Sequence, residues 1–80
     1  MPSRPARSFH STRYRAFLRL LRQARLDAKL TQAEVSVALG RPQSFVSKCE
    51  SGERRVDVIE LEEFAKVYRK PVTFFLRAGR

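Results

Sequence analysis

The sequence predicts an all-α domain built from five short helices. Two capping boxes mark the starts of two helices, because Thr31 and Asp57 are each followed three residues later by a Glu. Apolar residues around these signals recur at spacings of three and four, the period of an amphipathic helix. Gly40 and Gly52 follow two of the predicted helices, where glycine adopts the left-handed conformation of a helix end at low cost.

The length of 80 residues allows one small domain with a limited core. No apolar run approaches the roughly 18 residues of a membrane span, and the first arginines are not followed by the apolar segment of a secretory signal. Cys49 is the only cysteine, and no Cys/His cluster has metal-ligand spacing. We therefore expect a cytoplasmic, nucleoid-associated protein without membrane contact, metal or cofactor.

The charge is strongly positive, with a formal net charge of +9 and an isoelectric point near 11.1. Seven arginines precede the first acidic residue, Asp27. Such a charge attracts polyanions and steers them over long range. Solubility or an anionic membrane surface would also explain the charge, so it favours nucleic acid only beside a helix that can read bases.

Residues 1–12 predict a flexible basic arm, since they contain two prolines, four Ser/Thr and no apolar period. An arginine-bearing arm can reach the minor groove beside a DNA-binding helix. The alternative is a disordered tail without a specific contact. His10, the only histidine, is expected to be solvated in this arm.

The first helix is predicted at about 13–28, with Ser11 or Thr12 as its N-cap. Its core-facing stripe comprises Tyr14, Phe17, Leu21, Ala24 and Ala28. Leu20 and Leu26 fall outside this stripe, so they contact either another element or a partner chain, unless they are simply exposed.

The stretch 31–50 predicts two short helices around a tight turn. The first covers about 32–39, and its predicted apolar side comprises Val35, Ala38 and Leu39. Gly40 ends this helix. The second covers about 43–50, and Pro42 suits its first position because the missing N–H would be unpaired there.

The second helix of this pair places Val46 and Cys49 on one side and mostly polar residues on the other. Two helices joined in this way form a helix-turn-helix, whose second helix enters the DNA major groove. We therefore interpret 43–50 as a recognition helix.

Two more helices complete the predicted domain, which covers 13–77. The Asp57 capping box opens a fourth helix that extends to about 69, with a stripe of Val58, Leu61, Phe64, Ala65 and Tyr68. A short fifth helix at roughly 71–76 begins at Pro71. Some of its large apolar residues should pack on the core and others are left for a dimer contact; they are Val72, Phe74, Phe75 and Leu76.

Four short motifs carry a family resemblance: Leu30-Thr31-Gln32, Leu39-Gly40, Val46-Ser47 and Glu50-Ser51-Gly52. They resemble the Xre/Cro type of helix-turn-helix, which phage repressors and many small bacterial regulators share. The resemblance covers about 17–76. It implies a compact, five-helix, lambda-repressor-like DNA-binding domain in which the second and third helices form the motif.

The resemblance also implies roles for individual residues. Gln32 would contact a phosphate and support Gln43, and Arg25 would form a structural ion pair with Glu50. A Gln amide can bond adenine, and a Lys can reach guanine or a phosphate. The predicted DNA-binding residues are Gln32, Arg41, Gln43, Ser44, Ser47, Lys48, Ser51, Arg54 and Arg55.

Three residues depart from the pattern of that family. Ser36 replaces the usual Ala but is still small, and Pro42 removes a side-chain cap from the third helix. Cys49 replaces a larger apolar residue, and we interpret it as a small core residue.

The expected function is that of a sequence-specific repressor or autoregulator, which binds a pseudopalindromic operator in double-stranded DNA as a homodimer. The alternative is an antitoxin-type module that combines DNA binding with neutralisation of a protein partner. An enzyme is not expected, because no nucleophile–base pair or metal-ligand set is visible.

Overall fold

The structure, a computed structural model, describes residues 11–77, which fold into five α-helices and no strand. The helices are α1 (Thr12–Asp27), α2 (Gln32–Leu39), α3 (Gln43–Ser51), α4 (Val58–Tyr68) and α5 (Val72–Phe75). This architecture confirms the predicted all-α fold class. Residues 1–10, which include His10 and most of the predicted arm, and residues 78–80 lie outside the described residues.

Local side-chain caps start three of the helices. Ser11 caps α1, its Oγ accepting a hydrogen bond of 3.1 Å from the backbone N–H of Tyr14. Thr31 opens α2 through a complete capping box, in which Thr31 and Glu34 each accept a bond from the other's backbone N–H. Asp57 opens α4 in the same way. Both capping boxes predicted from the sequence are therefore present in the structure.

Two of the helices end at a glycine in the left-handed conformation, as predicted. Gly40 has φ of 69° and ends α2, and Gly52 has φ of 86° and ends α3. Arg69 ends α4 with φ of 57°, although it is not a glycine. Pro42 is the N-cap of α3, which begins at Gln43, and it supplies no side-chain cap, as expected from its departure from the family pattern.

All five helices contribute buried side chains to one apolar core. Its buried apolar residues are Leu21, Ala24, Val35, Phe45, Val46, Cys49, Leu61, Phe64, Ala65, Tyr68 and Phe75. The ring of Phe64 stacks on that of Phe45, with 6.1 Å between their centroids and an interplanar angle of 5°. Cys49 is fully buried, as expected of a core residue. Leu20 packs partly on this core, whereas Leu26 is exposed.

The predicted apolar side of α2 is partly wrong. Ala38 is exposed, and the buried residues of the helix are Val35 and Ser36. Ser36 is tolerated inside because its Oγ donates a hydrogen bond of 2.7 Å to the carbonyl of Ala33, so its polar atom is satisfied locally. The small side chain thus occupies the position where α2 packs on its neighbours.

The predicted stripe of α4 is wrong at its first member. Val58 is 70% exposed, as the first residue of the helix, and the inward-facing residues begin with Glu60 and Leu61. The prediction also omitted Phe45, which is buried on α3 beside Val46.

None of the helices between residues 11 and 77 has the length and apolar character needed to cross a membrane.

Candidate nucleic-acid interface

The outer side of α3 carries the polar side chains predicted to read bases. Gln43, Ser44 and Lys48 are exposed, and Ser47 is half-buried. Within the part of the chain that the structure describes, the side chains of Gln43, Ser44 and Lys48 make no hydrogen bond or ion pair. Their donors and acceptors are therefore available to a ligand.

The inner side of α3 is fixed by burial of Phe45, Val46 and Cys49. Burial of three apolar side chains on one side determines the rotation of the helix about its own axis. The polar residues at positions 43, 44 and 48 consequently point away from the core. Burial raises the pKa of the Cys49 thiol, which keeps this side chain in its neutral form.

Glu50 ties α3 to α1 and α2. Its carboxylate accepts bonds from Arg25 Nε at 2.6 Å and from the second terminal nitrogen of Arg25 at 3.1 Å. The side chains of Arg25 and Glu50 are only 11% and 7% exposed. The hydrogen bond to Glu50 is the main cause that raises the pKa of Arg25 above its ordinary value, so this guanidinium stays protonated.

Gln32 has a different partner from the one that the resemblance implied. Its side-chain nitrogen donates a hydrogen bond of 3.0 Å to Glu50, instead of supporting Gln43. The structure brings Gln32 together with Ser47 and Ser51, since all three line a polar cavity of about 310 Å³ beside the Arg25–Glu50 pair.

A second ionic cluster lies at the first turn of α3. Arg41 and Arg54 both lie over the ring of Phe45, with 4.3 and 4.8 Å from each guanidinium carbon to the ring centroid. Both terminal nitrogens of Arg54 donate hydrogen bonds of 2.8 Å to Glu60. These bonds are the main cause that lowers the pKa of Glu60 and raises that of Arg54.

Sequence reasoning assigned Arg41 and Arg54 to DNA but missed both Phe45 and Glu60. The apolar pattern of α3 carried a signal for Phe45, since it lies beside Val46. Glu60 was already explained by its capping role, and nothing in the sequence showed that it also pairs with Arg54.

The remaining residues predicted to bind DNA lie between α3 and α4 or at the end of α3. Ser51 is exposed, and its Oγ donates to the carbonyl of Lys48 and accepts from the backbone N–H of Glu53. Arg55 lies over the ring of Tyr14, with its guanidinium carbon 4.3 Å from the centroid. Arg55 therefore packs against α1, on the side of Tyr14.

The predicted dimer contact on α5 divides into buried and exposed residues. Phe75 is 1% exposed and belongs to the core, so it has no surface to offer a second chain. Val72 and Phe74 are partly buried against the core. Leu76 is 58% exposed and is the one of the four that offers substantial surface.

Comparison with known proteins agrees with the fold and the arrangement of α2 and α3. A profile of the helix-turn-helix domain matches residues 15–73. A solved structure of an XRE-family like protein from Pseudomonas syringae pv. tomato is 45% identical, superposes with a TM-score of 0.80, and is matched over 94% of this chain and 92% of its own. The search of curated proteins gave no significant match.

The matched profile covers α1 from residue 15, the whole of α2, α3 and α4, the loops between them, and the start of α5. The similarity to the Pseudomonas protein extends over nearly the whole of both chains. The chain therefore belongs to the Xre family of helix-turn-helix proteins, a family of DNA-binding transcriptional regulators.

Proposed function

We propose that this protein is a sequence-specific regulator of transcription that places α3 in the major groove of double-stranded DNA. The observation that carries the proposal is the exposure of Gln43, Ser44 and Lys48 on a helix whose opposite side is buried. A helix fixed in rotation presents its side chains in a constant register, as readout of base edges requires.

The side chains on this surface suit base recognition. Gln43 is the first residue of α3, and its amide can donate to adenine N7 and accept from adenine N6. Lys48 can reach guanine or a phosphate, and the serine hydroxyls can bond either a base edge or the backbone. We therefore assign direct readout to Gln43 and Lys48, with Ser44 and Ser47 as shorter-range contacts.

The charge distribution supports binding to the phosphate backbone. The net charge is +9, and the exposed arginines of α1 include Arg15, Arg19 and Arg22. Neutralisation of phosphates by such side chains releases counterions, so this part of the affinity falls steeply with salt. It supplies non-specific binding and sliding, whereas α3 supplies the choice of sequence.

A homodimer would supply two recognition helices to one operator. Two shallow cavities share Tyr14 and Phe17; Val58 lines one of them and Leu76 the other. We propose that three exposed apolar residues form the dimer surface: Val58, Leu76, and Ile59, which follows Val58 on α4.

The charges around this surface favour a second copy of the same chain. The cavity beside Val58 is also lined by Asp57, and the cavity beside Leu76 by Arg13 and Arg55. We place the two-fold axis so that the acidic edge of one copy lies against the basic edge of the other, and this contact then occurs twice in an isologous dimer. Such a dimer presents paired helices about 34 Å apart, one turn of DNA.

We propose repression or autoregulation as the effect of this binding, because a dimer on an operator that overlaps a promoter would block initiation. The alternative function is that of an antitoxin-type module, in which the same apolar surface contacts a protein partner. A stoichiometric partner that co-purifies with the protein from its native host would favour the alternative, and a lone homodimer would count against it.

Selection of bound sequences from a random pool of DNA duplexes tests the proposed function. We expect enrichment of a pseudopalindromic site whose half-sites have centres about 10 base pairs apart. Enrichment of a single asymmetric half-site would contradict the dimer, and a pool that stays random after several rounds would contradict sequence-specific binding itself.

A further inference from the structure

Two guanidinium groups lie side by side at the first turn of α3, in an arrangement that like charges alone would oppose. Arg41 and Arg54 lie over the same ring, that of Phe45. They also share one carboxylate oxygen, since Glu60 Oε2 is 2.8 Å from Arg54 and 3.9 Å from Arg41. The ring and the carboxylate together hold the two cations, since both attract a guanidinium.

The charge of Glu60 is not needed for its role at the start of α4. In the capping box, Glu60 Oε1 accepts a bond of 3.0 Å from the backbone N–H of Asp57. A Gln serves that role as well as a Glu, because the box requires only one side-chain oxygen. Glu60 is nevertheless 6% exposed and ionised, with its pKa lowered by Arg54. A buried negative charge at this position therefore acts mainly on the arginines.

The two arginines keep donors that the fold does not use. The guanidinium of Arg41 makes no hydrogen bond among residues 11–77, since its nearest nitrogen is 3.9 Å from Glu60, so its five N–H groups are available. Arg54 donates three of its five N–H groups to Glu60 and to the carbonyl of Arg55, and a fourth interacts with the Cys49 thiol, so one is left for a ligand. The side chains of Arg41 and Arg54 are 38% and 42% exposed. The three charges sum to +1, so the cluster still attracts an anion.

We propose that Phe45 and Glu60 are positioning residues that hold Arg41 and Arg54 against the start of α3, so that both arginines contact one phosphate of bound DNA. The inference rests on the proposed function, since it requires α3 to lie in the major groove. Arg41 immediately precedes the N-cap of α3 and Arg54 follows its C-terminal glycine, so the contact fixes the depth and register of the helix in the groove.

The substitution Glu60→Gln tests this proposal, because it preserves the size and the capping oxygen but removes the charge that holds the arginines. The matched control is Glu63→Gln, which removes the same charge from an exposed position on the same helix. Affinity for a labelled duplex of random sequence is measured by fluorescence anisotropy over a series of salt concentrations, well below the melting temperature of each variant.

The two substitutions should affect the affinity for DNA differently. Removal of a negative charge from a DNA-binding surface raises affinity, so we expect Glu63→Gln to bind as tightly as wild type or slightly tighter. Loss of one phosphate contact lowers the salt slope by about 0.9, or roughly a fivefold loss at 0.15 M salt relative to 1 M. We expect that loss and the shallower slope for Glu60→Gln. If Glu60→Gln binds as tightly as Glu63→Gln, the positioning role is wrong.

A second pair of variants tests the shared phosphate contact if Glu60→Gln does not fold. Arg41→Gln leaves the capping box intact, and Lys66→Gln removes the same charge from an exposed position on α4. We expect a clearly larger loss of affinity for Arg41→Gln, and equal losses would overturn the shared phosphate contact. Failure of the wild-type protein to bind the duplex would instead refute the proposed function.

Discussion

Arg25 on α1 and Glu50 on α3 form an ion pair through two hydrogen bonds, with Arg25 also donating a bond of 3.0 Å to the carbonyl of Leu30. Gln32, the first residue of α2, donates to the same carboxylate. One buried carboxylate thus joins three helices behind the exposed side of α3. The orientation of α3 relative to α1 and α2 depends on this contact as well as on the apolar core.

The substitution Glu50→Gln should lower the free energy of unfolding by about 3–5 kcal/mol, because it leaves the Arg25 guanidinium buried without a counter-charge. Chemical denaturation monitored by circular dichroism measures the change. The matched control is Asp27→Asn, which removes the exposed partner of Lys70, 3.3 Å away. The control should lose much less stability, since exposed pairs are screened by water. Equal losses in the two variants would contradict a structural role for the Arg25–Glu50 pair.

The substitution Gly40→Ala should destabilise the protein through its backbone alone. Gly40 has φ of 69°, and a Cβ added there would meet nothing within 4 Å. The cost is therefore that of a left-handed non-glycine residue, about 1–2 kcal/mol. Gly40→Asn is the control, because Asn tolerates this conformation better. Thermal melting should rank wild type above Asn and Asn above Ala. A loss for Asn equal to that for Ala would count against this explanation.

The stability contributed by ionised Glu60 should depend on pH. Its pKa is lowered in the folded protein, chiefly by the hydrogen bonds from Arg54, relative to an ordinary value of 4.5. A group with a lowered folded pKa contributes stability that is complete above the ordinary pKa and is lost as the pH falls through the folded value. The difference in unfolding free energy between wild type and Glu60→Gln should thus be largest near pH 7 and narrow below about pH 4.5. Urea denaturation at pH 7, 4 and 3 measures this difference, and a constant value would contradict it.

The proposed dimer surface predicts that Val58→Ser weakens self-association. Val58 is 70% exposed in the single chain, so a loss of association cannot be attributed to unfolding. Burial of a Val side chain contributes about 1.5–3 kcal/mol, and two-fold symmetry places each substitution in the interface twice. Sedimentation velocity should show the dissociation constant increase at least tenfold. Val37→Ser, at an 82% exposed position on α2, should leave it unchanged. An equal effect of both variants would refute the proposed surface.

The ends of the helices were predictable from the sequence because their signals are local. Thr31 and Asp57 cap helices through residues three positions away, and Gly40 and Gly52 end helices through their own φ angles. The side of α2 that is buried was not predictable in full. Ala38 and Ser36 are both small, and only the packing of α2 on α3 and α4 determines which of them lies inside.

In the candidate site, too, features set within one helix could be predicted, whereas contacts between distant segments could not. The outward direction of Gln43 and Ser44 follows from the positions of Val46 and Cys49 on the same helix. The pairing of Arg54 with Glu60 depends on how the loop after α3 meets α4, and the sequence carries no signal for that geometry. Arg54 was predicted to bind DNA, but the sequence did not show its partner inside the fold.

Readout of bases by α3 is tested most directly by the substitution Gln43→Ala, with the sequence preferences of parent and variant measured by selection from the same random duplex pool. The variant should lose its preference at one base pair of each half-site, a change of about 1–3 kcal/mol, while the other positions remain. Gln23→Ala, on the exposed side of α1, should leave the preferences unchanged. Identical preferences for Gln43→Ala and the parent protein would contradict the account.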